Sequence, residues 1–258
     1  MFLQQTKSEG RLIGILNGCS YSVPRHSPLA IDALFKLIAE EVEARRAELG
    51  GLPMEDGLNK LKWLLGSGIK TIITGVTRVT EQKIRLLCEK DSSGKLAIES
   101  ISKILSENNG VYILLGTGTA DYEQYLSEAS RYLERFIFVR GFSETVANAL
   151  YSSGTMYLMP SLYEPCGISQ MLAMREGQPC IVHRVGGLKD TVQHDVNGFC
   201  FEGWTLLDKV NNLVAAVAYA VSLATNDRTR WEKIKQAASS ARFDWGAAAK
   251  KYEKLYEL

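Results

Sequence analysis

The sequence predicts an α/β fold built on a doubly wound parallel sheet, and three observations carry that prediction. Short apolar runs recur at 71–76, 111–115, 136–139, 156–159 and 179–182, with a weaker sixth at 199–201. The runs are continuous rather than alternating, as strands buried on both faces must be. Between them lie helical stretches at 81–89, 97–107, 121–134, 143–152 and 168–176. Short buried strands separated by amphipathic helices are the pattern of repeated βαβ units.

Taken in order, the N-terminal segment 1–68 differs in character from the remainder of the chain. Arg11 to Leu16 reads as a strand closed by an Asn17-Gly18 turn, and Pro24 and Pro28 bracket a loop. A helix is expected from Leu29 to about Leu49, with apolar residues among charges and Gly50-Gly51 at its end, and a second from Met54 to about Leu65, stopped by Gly66 and Gly68. Residues 69–205 hold the alternating pattern and form the α/β domain. Residues 206–258 form a helical, amphipathic tail expected to pack on the same domain, interrupted near Phe243-Asp244-Trp245.

Composition narrows the function classes. The chain has 258 residues, 30 Lys and Arg against 29 Asp and Glu, a net charge of +1, and no basic run. That balance argues against an electrostatic grip on nucleic acid or on an anionic membrane. The N-terminus has no apolar core of signal-peptide length. The longest strongly apolar segment, Leu213 to Leu223, falls short of the roughly 20 residues that span a bilayer. Five cysteines (Cys19, Cys88, Cys166, Cys180, Cys200) are odd in number, scattered, and without a CxxC pair, and the three histidines form no HExxH. Neither a disulfide framework nor a metal centre is expected, and a reducing cytoplasm suits the thiols.

In an open parallel sheet, ligands collect outside the carboxyl ends of the strands, where helix N-termini offer free N–H groups. The first such junction reads Thr74-Gly-Val-Thr-Arg78-Val-Thr80-Glu-Gln-Lys83. Thr80 is a candidate N-cap, and Arg78 and Lys83 flank the helix start, where both could grip one anion or simply be solvated charges. The second, Leu115-Gly116-Thr-Gly118, permits close approach of a ligand or a neighbouring backbone, and equally fits a tight turn. It does not continue as GxGxxG. The third carries Phe142, suited to stacking on a flat base but more in keeping with core packing, and Ser143, a helix cap. The fourth, Ser161-Leu-Tyr163-Glu164-Pro165-Cys166-Gly167-Ile168-Ser169-Gln170, is the most informative. Pro165 and Gly167 fix a sharp turn that leaves the following helix amides uncovered, and Glu164 faces the ligand space, where it can accept hydrogen bonds from hydroxyls. The fifth places Gly186-Gly187 at another strand-to-helix turn.

The fourth junction, followed by Gly186-Gly187-Leu188-Lys-Asp190-Thr191, resembles the bacterial glycogen synthase and plant starch synthase family. Supporting pieces are Gly14-Ile-Leu-Asn-Gly18, Arg78-Val-Thr-Glu-Gln-Lys83, Leu115-Gly116-Thr-Gly118 with Tyr122-Glu123, and Phe243-Asp-Trp245. The resemblance runs continuously from about Ile69 to Phe201. It implies the Rossmann-like C-terminal lobe of the two-domain GT-B glycosyltransferase fold. It also implies a retaining transfer of glucose from ADP-glucose, or UDP-glucose, to an α-1,4-glucan, with no cofactor beyond the nucleotide-sugar substrate and a cytoplasmic or plastid setting.

By that resemblance Arg78 and Lys83 hold the donor diphosphate and Glu164 sits against the donor sugar. The amides of Gly167, Ile168 and Ser169 bind glucose and phosphate, and Phe142 lies near the base. Gly186, Gly187 and Thr191 line the far side of the pocket, and Gly116, Gly118, Tyr163 and Cys166 complete the donor-binding set. Some positions depart from the family pattern. Ile84 stands where glycine follows the lysine, Ser20 replaces an aspartate, and 24–68 does not match. Leu172 stands where related retaining transferases place a second glutamate, which starch and glycogen synthases commonly lack. The family's first domain, with its Lys-x-Gly-Gly-Leu loop, has no counterpart, so the chain alone is expected to be incomplete for catalysis, its acceptor reached through that domain. Two other readings fit the same motifs: a stand-alone module that binds a nucleotide or nucleotide sugar without transfer, and transfer to a different acceptor. In the two-domain fold the C-terminal helix crosses onto the first domain, so Trp245, Tyr252, Leu255 and Tyr256 are expected to be partly uncovered or to meet their own domain or a second copy.

Overall fold

The computed structural model describes residues 13–21, 26–44, 54–66 and 68–256. At its centre lie β1 (Thr71–Val79), β2 (Gly110–Gly118), β3 (Phe136–Arg140), β4 (Met156–Met159), β5 (Cys180–His183) and β6 (Gly198–Phe201). All pairings are parallel, in the order β3-β2-β1-β4-β5-β6. The chain winds outward from β1 to β3, returns to β4 beside β1, and winds the other way. A reversal of this kind opens a crevice at the carboxyl ends of the two central strands. The register widens it: β1 pairs with β4 only at Ile73↔Met156 and Thr74↔Tyr157, while its last residues pair with β2 alone.

Helices cover both faces. On one lie α1 (Ile31–Ala44) and α2 (Met54–Leu65), then α6 (Glu144–Ser153) and α7 (Ser169–Glu176). They bury Leu34, Phe35, Ile38, Leu64 and Leu150 against the sheet residues Ile72, Val111, Ile113, Tyr157 and Val182. On the other face, α4 (Ala97–Glu107) and α9 (Leu206–Asn226) pack Ile98, Ile101, Leu213 and Val217 onto Ile73, Leu114 and Leu158, with Trp231 and Ile234 of α10 (Arg228–Ser240) beside them. The chain is completed by α3 (Glu81–Ile84) and a 3₁₀ turn at Arg85–Leu87, α5 (Ala120–Tyr132), α8 (Leu188–Thr191) and α11 (Trp245–Tyr256).

Several expectations are corrected. Of the strand expected from Arg11 to Leu16, the described residues Ile13 to Leu16 are irregular, while Arg11 and Leu12 lie outside the described residues, as do Pro24 and the residues 45–51 expected to close the first helix. The nearby Cys19 instead bridges to Asp244, its N–H donating to the Phe243 carbonyl at 2.7 Å. The helix expected over 81–89 is one α-turn followed by the 3₁₀ turn. The apolar stretch near 213–223 belongs to a 21-residue helix, α9, which is long and apolar enough by length and composition to cross a membrane. Its apolarity has a local cause, because Val210, Leu213, Val217, Ala220 and Val221 form the stripe that covers the sheet.

Candidate functional site

The crevice between β1 and β4 is where the charged residues of two junctions meet. Lys83, in the single turn of α3, is buried and forms an ion pair with Glu164 from the loop after β4. The Ser161 hydroxyl donates to the same carboxylate oxygen at 3.5 Å. A buried ammonium with no partner would be strongly destabilising, so each charge is what makes the other tolerable there. Arg78, near the end of β1, is exposed, and its guanidinium has no hydrogen-bond or ion-pair partner among the described residues. The crevice therefore holds one compensated pair and one solvent-facing cation.

The loop carrying Glu164 is clamped from both sides. Toward α3, the Leu162 N–H donates to the Gln82 carbonyl at 2.8 Å, and the Gln82 side-chain amide donates to the Tyr163 carbonyl at 2.7 Å. Toward α8, the Gly187 N–H donates to the Glu164 carbonyl at 3.0 Å. A side chain at Gly186 would collide with Glu164 O, and one at Gly187 would stand 2.5 Å from Cys166 Cα. The paired glycines are thus a clearance that lets this turn press against the Glu164 loop.

Gly167 has φ +76°, the left-handed conformation that favours glycine. Beneath it, fully buried Gln170 donates to the Cys166 and Gly167 carbonyls at 3.2 and 3.0 Å, and its own Oε1 has no partner among the described residues. The first amides of α7 at Ile168 and Ser169 have no carbonyl one turn back to receive them. His183, at the end of β5, stacks on Phe201 and places Nδ1 2.9 Å from the Ser161 carbonyl. Burial lowers its pKa.

Gly116 and Gly118 lie inside β2, not in a turn, where added side chains would strike the β1 backbone at Thr77 and Val79. Thr80 occupies the N-cap position of α3 with extended backbone, but its side chain makes no capping hydrogen bond. Phe142 is 58% exposed, which overturns the core reading: it stands in the loop after β3, near Glu41 and Val42 of α1. Tyr163 and Ile168 are also exposed, whereas Thr191 is buried, its hydroxyl donating to the Gly187 carbonyl at 3.0 Å. The same hydroxyl accepts from the Gln170 side-chain amide at 3.3 Å, which links the glycine turn to the start of α7. Cys166 is half-buried and accepts from the Asn17 N–H at 3.3 Å, so the N-terminal segment lies along this loop.

Sequence reasoning missed the roles of Gln82, Ser161, Gln170 and His183, and of the pair Glu123–Arg140. Gln82, Ser161, Gln170 and Glu123 stand within motifs already singled out, so position was legible while contact was not. Among the described residues, no three His, Cys, Asp or Glu side chains come together as a metal-binding group.

The site is thus a switch-point crevice with cations, uncovered helix amides and a glutamate, suited to an anionic leaving group beside a polyhydroxyl one. The family model described as glycosyl transferases group 1 matches residues 84–222. A glycogen synthase of Caldicellulosiruptor bescii is 34% identical over 264 residues, covering 96% of this chain and 49% of that protein. The chain spans about half the length of the curated relatives it matches. Among solved structures, the catalytic domain of Arabidopsis thaliana starch synthase IV, bound to ADP and acarbose, superposes with a TM-score of 0.57 at 23% identity, over 78% of this chain and 42% of that one. A glycosyltransferase of Rickettsia africae superposes with a TM-score of 0.62 at 17% identity, over 99% of this chain and 61% of that one.

Proposed function

The chain belongs to the group 1 glycosyl transferases, and on that premise we propose that it is the donor-binding lobe of a glycogen or starch synthase-like enzyme. The donor is a nucleoside diphosphate glucose, ADP-glucose by family resemblance, and the acceptor is an α-1,4-glucan. Relatives named glycogen synthase, matched along nearly all of this chain, support the glucan assignment. The observation that carries the reading is the Lys83–Glu164 pair, buried at the switch point with Arg78 exposed on the adjoining strand.

The chemistry requires a diphosphate to depart while positive charge develops on the sugar. Lys83 has three donors; one serves Glu164, and the others are available to a phosphate entering the crevice. Arg78 adds a planar guanidinium that can meet phosphate oxygens in pairs. The α7 amides extend the same field. Glu164, held from both sides, accepts from sugar hydroxyls and fixes the ring relative to the departing phosphate. Losing one such stabilising group costs about 3 kcal/mol, roughly a hundredfold in rate. No part of this assignment calls on a metal ion or cofactor.

Titration calorimetry of the chain with ADP, UDP and their glucose conjugates tests the reading. Binding is expected to fall about a hundredfold when Arg78→Ala and Lys83→Ala are combined. Absence of binding at millimolar nucleotide, or affinity unmoved by the double substitution, would refute it.

A further inference from the structure

Phe142 is a large apolar side chain with more than half of its surface exposed, and the backbone around it is held at the neighbouring residues. Arg140 Nε lies 2.7 Å from Glu123 Oε2. The Gly141 N–H donates to the Gly116 carbonyl at 2.8 Å, and Gly141 takes φ +110°, which other residues rarely adopt. The Ser143 hydroxyl donates to Glu41 of α1 at 2.7 Å while accepting from the Val146 N–H at 3.2 Å. Glu123, from α5, is only 5% exposed, and its second oxygen accepts from the Thr117 hydroxyl at 2.7 Å and from the Gly118 N–H at 2.6 Å. One buried carboxylate thereby ties the carboxyl ends of β2 and β3 together directly below the loop.

We propose that Glu123, acting through Arg140, is a positioning residue for the donor's base: it fixes the loop that presents Phe142 as a stacking platform. This rests on the reading of the crevice as a nucleotide-sugar site. β3 lies two strand spacings, about 10 Å, from β1, a span that an extended nucleoside diphosphate covers from phosphates to base. The two strand ends are already joined by the sheet ladder through Gly116↔Arg140, so the buried carboxylate adds little to pairing. What it adds is rigidity under an exposed ring, and a ring held in place before the ligand arrives loses less freedom on binding. Burial pushes the Glu123 pKa up, but the hydrogen bonds from Thr117 and Gly118 and the charge of Arg140 outweigh it and hold the carboxyl below its usual range, so the tie is ionic at neutral pH.

The test is calorimetry of the full chain with ADP, UDP and inorganic pyrophosphate, comparing wild type with Glu123→Gln, Arg140→Gln and Phe142→Ala, each checked for folding by near-UV circular dichroism. Glu123→Gln keeps an acceptor for Thr117 and Gly118 but loses the charge that holds Arg140. The expected result is a fall of about tenfold in ADP and UDP affinity for all three variants. Pyrophosphate affinity, and the slope of ADP affinity against salt, should stay unchanged because the phosphate contacts are untouched. If Glu123→Gln does not fold, Arg140→Gln, at a part-exposed side chain, carries the same comparison. Nucleotide affinities that stay at wild-type values, or a pyrophosphate affinity or salt slope that falls in step with them, overturn the proposal. A wild-type chain that binds none of the three at millimolar concentration removes the donor-site reading as well.

Discussion

Gly187 has ordinary helical backbone angles, φ −68° and ψ −15°, so its own conformation does not demand glycine. Its neighbour does, since a Cβ there would meet the Cys166 backbone. Backbone cannot swing aside as a flexible side chain can, so Gly187→Ala must displace the Glu164 loop. The substitution is expected to cost about 1–3 kcal/mol of stability, as overpacking does, and to weaken nucleotide binding along with it. Denaturant unfolding and calorimetry read the two effects, and a variant unchanged in both would contradict the clearance argument. At this scale the sequence showed which residues stand at strand ends, hence Arg78, Lys83 and Glu164 as candidates. It misjudged Phe142 because an aromatic residue type speaks for a core, while exposure depends on the path of a loop. It placed Thr191 beside the glycine turn, where the structure adds a hydrogen bond from its hydroxyl to the Gly187 carbonyl.

Periodicity sets the elements, and most of them lie within a residue or two of where the pattern put them. The failures are instructive. α3 passes after one turn into the 3₁₀ turn, and its Lys83 meets Glu164 81 residues away, a contact invisible in a local window. The start of α9 shows the opposite case, a signal wholly local. Thr205 accepts from the Asp208 N–H at 3.1 Å, and the Asp208 carboxylate accepts from the Thr205 N–H at 3.0 Å, a reciprocal cap. Those bonds hold the Asp208 pKa below the usual carboxylate range. Thr205→Ala is expected to cost about 1 kcal/mol, read as a lowered melting temperature, and an unshifted melt would show that packing alone fixes the helix start.

Across the whole molecule, Gly18 and Tyr21 meet the segment 241–245, more than 200 residues away. Gly18 packs against the break before α11, where a Cβ would stand 2.5 Å from the Trp245 amide nitrogen. Tyr21 donates to the Ala241 carbonyl at 3.3 Å and lies under the Arg242 guanidinium. α11 itself buries only Ala248, leaving Trp245, Tyr252 and Tyr256 exposed. With so little contact of its own, α11 depends on the N-terminal segment for its position. Gly18→Val is therefore expected to raise hydrogen exchange across Trp245–Tyr256 while the sheet keeps its protection. Equal protection in the variant would show that α11 docks independently.

The sequence by itself determined the alternation of buried strands and amphipathic helices, the residues at each carboxyl edge, and through its motifs the family resemblance. Those signals are local, written in windows of a turn or a strand. Only the tertiary structure decided that Lys83 and Glu164, 81 residues apart, share a buried ion pair. It alone showed that Gly116, Gly118, Gly186 and Gly187 are clearances between neighbouring backbones, and that Glu123 braces the loop of Phe142. Each of these depends on which strands lie side by side. The order β3-β2-β1-β4-β5-β6 is set by the packing of all the helices at once and is carried by no single segment.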